Sequence, residues 1–168
     1  MKKMKKCMVA ITLLFSIVLC NACGKSGDGN AAGGGSIEGE LTDIMADIYE
    51  NINVDSETKE SMQYYMTDTL TADNEQAILG VSGVSYTDGV YSIPMMSSIA
   101  YQCVLLRVSP DDVETVKTML KDNADVDKWV CVSAETVLVE NVGDVVLFVM
   151  CDKDRAYAIS EAFQALGK

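Results

Sequence analysis

The 168-residue chain contains no histidine. Without imidazole there is no Ser-His-Asp triad and no Cys-His nucleophile pair, and the commonest metal-ligand type is missing. The three cysteines beyond Cys23, namely Cys103, Cys131 and Cys151, are odd in number and show no Cys-x-x-Cys spacing, and the chain has no internal repeat. A zinc framework therefore has no sequence basis, and no spacing calls for a cofactor. No lasting membrane span is present either: the apolar run from Cys7 to Leu19, interrupted only by Thr12 and Ser16, has about 13 residues, against roughly 20 for a transmembrane helix.

What is present at the start is a basic segment, with Lys2, Lys3, Lys5 and Lys6 and no acid, followed by that apolar run. This is the pattern of a signal peptide. It ends in Leu19-Cys20-Asn21-Ala22-Cys23-Gly24, which resembles the lipobox of bacterial lipoproteins, where a small residue precedes the modified cysteine. The resemblance implies cleavage after Ala22 and a diacylglyceryl thioether on Cys23. Two acyl chains are enough for stable anchoring, at about 0.8 kcal/mol per buried methylene. A plain secretory signal cut near Ala22 satisfies the same small-residue rule. Both readings place the remainder outside the cytoplasm, and the lipobox reading attaches it to the cell membrane.

Residues 23–36 continue as the lipidated cysteine and a glycine-rich tether, GKSGDGNAAGGGS, with no large apolar side chain. As a flexible coil the tether spans roughly 20 Å. Gly24-Lys25-Ser26 echoes the end of a phosphate-binding loop, but Leu19 stands where that motif needs glycine. Removing residues 1–22 takes away four of 13 basic residues and none of 25 acids, leaving a formal charge of −16. Such a body is repelled by anionic lipid and lacks the basic footprint of nucleic-acid binding. The acids read as a solvated surface.

Residues 37–168 suit one domain with one core. Leu41, Ile44, Met45, Ile48, Tyr49 and Ile52 recur at helical spacing. Val54 to Thr69 is ambiguous between helix and extended chain. A short helix is predicted from Ala72 to Leu79, capped by Thr71 and ended by Gly80. Gly89 to Met96 reads as a strand placed at a sheet edge by Pro94, since proline donates nothing to a ladder. Ala100 to Val108 is apolar enough for a central strand paired with it. Ser109 as N-cap and Pro110 in the first turn predict a helix with Val113, Val116 and Leu120 buried. Thr136 to Glu140 and Asp144 to Cys151 form a hairpin around Asn141-Val142-Gly143, the second strand needing cover on both faces. Asp152 or Asp154 caps a last helix with Ala156, Ile159, Phe163 and Leu166 inside. The expected fold is α+β: an antiparallel sheet of about four strands with helices packed on it.

The lipobox and tether, the Tyr91-Ser92-Ile93-Pro94-Met95-Met96 segment leading into the apolar strand, the helix from Pro110 and the closing hairpin and helix together resemble a family of small bacterial lipoproteins, domain-of-unknown-function family 4358. Leu79-Gly80 stands where that family commonly has Tyr-Gly. The family carries no established activity, so the resemblance implies no catalytic residues.

The remaining chemistry-bearing patterns are thin. Ser56-Glu57-Thr58-Lys59 matches the Ser-x-x-Lys of penicillin-interacting enzymes, but the companion Lys-Thr-Gly is absent, Lys117-Thr118 being followed by Met119. Asp125 with Asp127 and Asp152 with Asp154 lack the glycine turn and distant Glu of a calcium loop. Cys103, Cys131 and Cys151 lie in or beside apolar strands and read as small hydrophobes, with a Cys103–Cys151 bridge open if geometry allows. The expectation is a non-catalytic, lipid-anchored domain contacting an envelope protein or peptide, with no nucleic acid. The candidate contact is the edge carrying Tyr91, Ile93, Met95 and Met96, by strand addition. The rival is an envelope hydrolase using carboxylates or Ser56 with Lys59. A two-lobed solute receptor is disfavoured by length.

Overall fold

The computed structural model describes residues 37–168. The expected signal segment, Cys23 and the tether lie outside these residues. The described elements run α1 (Leu41–Asn51), α2 (Ser56–Met62), β1 (Met66–Thr69), α3 (Glu75–Leu79), β2 (Asp88–Ile93), β3 (Gln102–Arg107), α4 (Val113–Asp122), β4 (Thr136–Val142), β5 (Val145–Cys151) and α5 (Lys153–Ala165). The strands form one antiparallel sheet in the order β1-β2-β3-β5-β4. The fold is α+β, as the pattern of hairpin-linked strands and interspersed helices implied.

Alternation along the two central strands sends side chains to opposite faces. Tyr101 before β3, then Cys103, Leu105, Leu147 and Val149, meets α1 and α5 through Ile44, Ile48, Ile159 and Phe163. On the other face Val104, Leu106, Val146, Phe148 and Met150 meet α3 and α4 through Leu79, Val113, Val116 and Leu120. Every residue of β5 is buried, which is why its sequence is apolar without alternation. The β4–β5 turn is tight: Val142 pairs with Val145, and Gly143 takes a φ of +57° that few side chains tolerate.

Several expectations are corrected. The sheet has five strands, because Met66–Thr69 pairs with β2 from Met66↔Ile93 to Thr69↔Val90. All four of its residues are exposed, so no apolar alternation marked it. Consequently β2 is not an edge; Pro94 lies just past its last paired residue, where the missing donor ends the ladder. Ser109 does not cap a helix: its carbonyl accepts from Asp112 N at 2.8 Å in a turn, and α4 begins three residues later than that cap required. Thr71 likewise acts through its carbonyl, accepting from Asn74 N and Glu75 N. At the far end of α3, Gly80 is the stop, with φ +79° and no room for a Cβ, which would fall 2.2 Å from the Asn123 carbonyl oxygen. Asp152, not Asp154, caps α5, accepting from Arg155 N at 3.0 Å.

The three described cysteines are free. Cys103 faces Val149 across the β3–β5 ladder, so Cys151 sits one same-face step further along. Both are buried as expected of small hydrophobes, whereas Cys131 is exposed in a loop at φ +63°.

Candidate binding site

Between β2 and β3 the chain must turn without further pairing, and residues 94–101 do so around a buried Pro94. Ile99 N donates to the Met96 carbonyl at 3.4 Å, and Val130 N donates to the Ser97 carbonyl at 3.1 Å, tying this loop to the segment after α4. The turn leaves Met95 86% and Met96 63% exposed. Two hollows flank these methionines and share Pro94, Met95 and Met96 as a common wall.

The first is an apolar groove of about 470 Å³, completed by Ser61, Tyr64, Tyr65 and Ile99. Its floor is stiffened from below. Tyr65 packs on Tyr101 with centroids 4.6 Å apart, and its hydroxyl accepts from Arg155 Nη1 at 2.8 Å. The Arg155 guanidinium lies 5.6 Å from the Tyr101 ring centroid, a cation–π contact. The Tyr101 and Tyr49 hydroxyls share a hydrogen bond of 2.7 Å. Burial pushes both phenols well above their ordinary range, pushes the Cys103 thiol up to about 12 and raises Cys151 further still. At neutral pH none of these is a nucleophile, because the thiolate is the reactive form.

The second hollow, about 300 Å³, lies on the α3 and α4 side of the sheet and is lined by Ile78, Ile93, Gln102, Lys128 and Trp129 among others. Lys128 starts at the surface and turns inward. Its ammonium donates to the Ala77 and Ile78 carbonyls, both at 3.1 Å, and to Gln102 Oε1. It thereby closes the C-terminal end of α3, where free carbonyls favour a cation. Burial lowers its pKa to about 8, with Asp125 opposing only in part. Gln102 is fully buried, and its amide nitrogen has no hydrogen-bond partner among the described residues.

The four residues of the expected contact edge are thus divided. Tyr91 is buried in the α3 and α4 face, Ile93 lines the smaller hollow, and Met95 and Met96 form the wall between the two. Strand addition has no open place at β2. At the β1 edge, Thr69 N is taken by the Asp68 carboxylate at 2.7 Å and the Thr69 carbonyl by Asn74 Nδ2 at 3.1 Å, devices that blunt a sheet edge.

The other candidates do not converge. Ser56 is exposed at the start of α2, and the Lys59 ammonium is engaged by the Glu50 carbonyl rather than by Ser56. Asp125 Oδ1 accepts from Asp127 N, Asp127 Oδ1 accepts from Ser133 Oγ, and Asp152 serves its cap. Among the described residues no group of three or more Cys, Asp or Glu could hold a metal ion, and no helix is long and apolar enough to cross a membrane. Reading the sequence missed Gln102, Lys128 and Trp129. One signal was available: Gln102 is the lone polar residue in Tyr101-Gln102-Cys103-Val104-Leu105-Leu106, and a buried amide must find partners.

No protein-family model, curated protein or solved structure matches the chain.

Proposed function

We propose that the chain is a lipid-anchored extracytoplasmic domain with a non-catalytic binding role, presenting the groove beside Met95 and Met96 to an envelope protein or peptide. The anchoring half of this reading rests on the basic and apolar leader and on Ala22-Cys23-Gly24; the resemblance to small bacterial lipoproteins points the same way. The binding half rests on one observation: Tyr64, Met66, Met95 and Met96 are large apolar side chains left exposed near the loop between β2 and β3, and Tyr64, Met95 and Met96 line a groove that Tyr65, packed on Tyr101, also lines. Methionine suits such a surface because it is flexible and polarizable. Exposed apolar patches of this kind mark interaction sites.

Two measurements test the halves separately. Cells fed a radiolabelled fatty acid should label the protein, and Cys23→Ser should abolish the label; an unlabelled chain that keeps its leader would overturn the anchor. For binding, a photo-crosslinking residue at position 96 should give a reproducible envelope adduct that is absent when the crosslinker sits at exposed Tyr157, on α5. Equal patterns from both positions would remove the groove.

A further inference from the structure

Among the side chains that line the smaller hollow, fully buried Gln102 has an amide nitrogen with no partner among the described residues, and that nitrogen has a fixed direction. An amide can normally swap its oxygen and nitrogen to suit its surroundings. Here Lys128 donates to Gln102 Oε1, so the side chain is locked and its NH2 is the group left over. A buried donor without an acceptor forfeits its hydration without replacement. Beside it stands the ammonium of Lys128, a residue that reaches in from the surface and whose charge Asp125 balances only in part. The three acceptors around the Lys128 ammonium, two backbone carbonyls and the Gln102 oxygen, are all neutral, and none of the ion pairs among the described residues includes it. One chemical group answers both deficits, an anionic oxygen that accepts from the amide while balancing the ammonium.

The rest of the wall says what must carry that oxygen. Apart from Ser97 it is largely apolar: Trp129, whose ring centroid lies 5.5 Å from the Lys128 ammonium, with Ile93, Pro94, Met95 and Met96. The volume, about 300 Å³, falls at the small end of ligand pockets. Phosphate or sulfate would leave this apolar wall uncovered. We propose that the hollow binds a carboxylate carried on a short apolar body, with Gln102 Nε2 donating to the carboxylate, Lys128 supplying the compensating charge, and Trp129, Met95 and Met96 covering the apolar part. The source of such a group is either a free aliphatic acid or the C-terminus of an apolar peptide. The inference deepens the binding reading and depends on it, but concerns the hollow on the opposite side of the methionine wall from the crosslinking groove.

Trp129 is the only tryptophan in the chain, so its fluorescence reports this site alone. The full chain in detergent micelles is titrated with hexanoate and with hexanamide, and in parallel with acetyl-Ala-Leu-Leu bearing a free or an amidated C-terminus. A saturable change with hexanoate or with the free-carboxyl peptide, at least tenfold weaker for the matching amide, supports the proposal, and the arm that responds identifies the source. Gln102→Glu supplies an internal carboxylate to Lys128 and should weaken binding at least tenfold while the far-UV circular dichroism is retained. Lys128→Met, whose position begins at the surface, should weaken it to the same degree and serves if the first variant does not fold. The proposal is overturned if no probe gives a saturable change, if acid and amide bind equally, or if the folded variants bind like the wild type. Because none of these readouts involves crosslinking at position 96, failure here leaves the groove standing, and the two failures are told apart by which readout is lost.

Discussion

The two faces of the sheet are built from different materials. The face under α1 and α5 is covered by helices of 11 and 13 residues, and its buried side chains are apolar apart from the tyrosine hydroxyls, Ser92, Ser160 and the thiols. The face under α3 and α4 has helices of 5 and 10 residues and leaves the rest to loops. Loop backbone exposes polar groups that regular elements would pair internally, so they must be met by side chains. That is where Glu75, Gln102 and Lys117 are buried and where Lys128 reaches in from the surface. Glu75 accepts from Gly83 N and Val84 N, holding the loop after α3 to the helix. Lys117 donates to Glu114 Oε1 at 2.7 Å and Asn141 Oδ1 at 2.9 Å. One face is sealed mainly by packing and the other is stitched by hydrogen bonds, and it is the stitched face that holds the hollow with an unpartnered buried amide.

That contrast predicts unequal responses to substitution. Phe163→Ala, on the packed face, should cost about 3–5 kcal/mol in urea unfolding, the usual result of emptying a buried aromatic site; a loss below about 1 kcal/mol would mean that this face is not the tighter one. Glu75→Gln, on the stitched face, keeps size but turns one acceptor into a donor facing an N–H. It should cost about 1–3 kcal/mol, and hydrogen exchange should accelerate at Gly83 and Val84 more than in β3. Uniform acceleration would show that the carboxylate does not act locally.

Alkaline titration separates the faces by sign. Cys103 keeps its proton to about 12 when folded, whereas an ordinary thiol yields it from 9.0, so the unfolded chain binds fewer protons between these values and stability falls as pH rises. Lys128 behaves oppositely: its folded pKa is about 8 against an ordinary 10.5, the unfolded chain binds more protons in that window, and its contribution rises with pH. Between pH 9 and 10.5, Cys103→Ala should therefore flatten the decline by on the order of 1 kcal/mol per pH unit. Lys128→Met should steepen it. Identical slopes in the wild type and both variants would refute the assignment. With no histidine present, the smallest effect of all is expected near neutrality, where no imidazole step should appear between pH 5 and 8.

The sealed face was the legible one. Helical periodicity in Leu41 to Ile52 and Ala156 to Phe163, and the unbroken apolar runs of β3 and β5, announce packing directly, because burial of carbon leaves a periodic trace in sequence. The hairpin at Gly143 was legible for a related reason, since a positive φ restricts which residue can stand there. The stitched face was not. Lys128 sits in a polar stretch that looks like any solvated loop, and only the fold brings it to Gln102, 26 positions away in the chain. β1 escaped because an exposed strand held by backbone bonds alone has no apolar stripe. Ser109 and Thr71 had the right chemistry for caps, but their carbonyls were recruited into turns one step before each helix began.

Arg107, at the last position of β3, donates from Nη2 to the Gly39 carbonyl at 2.8 Å and from Nη1 to the Ile37 carbonyl at 3.3 Å, while pairing with Asp144 at 3.1 Å. Gln102 is the first residue of the same strand, roughly 17 Å away at about 3.4 Å per residue. The guanidinium thereby clamps the backbone at Ile37 and Gly39 to one pole of the sheet, so that a load on those two residues would be borne far from the hollow and the methionines at the opposite pole.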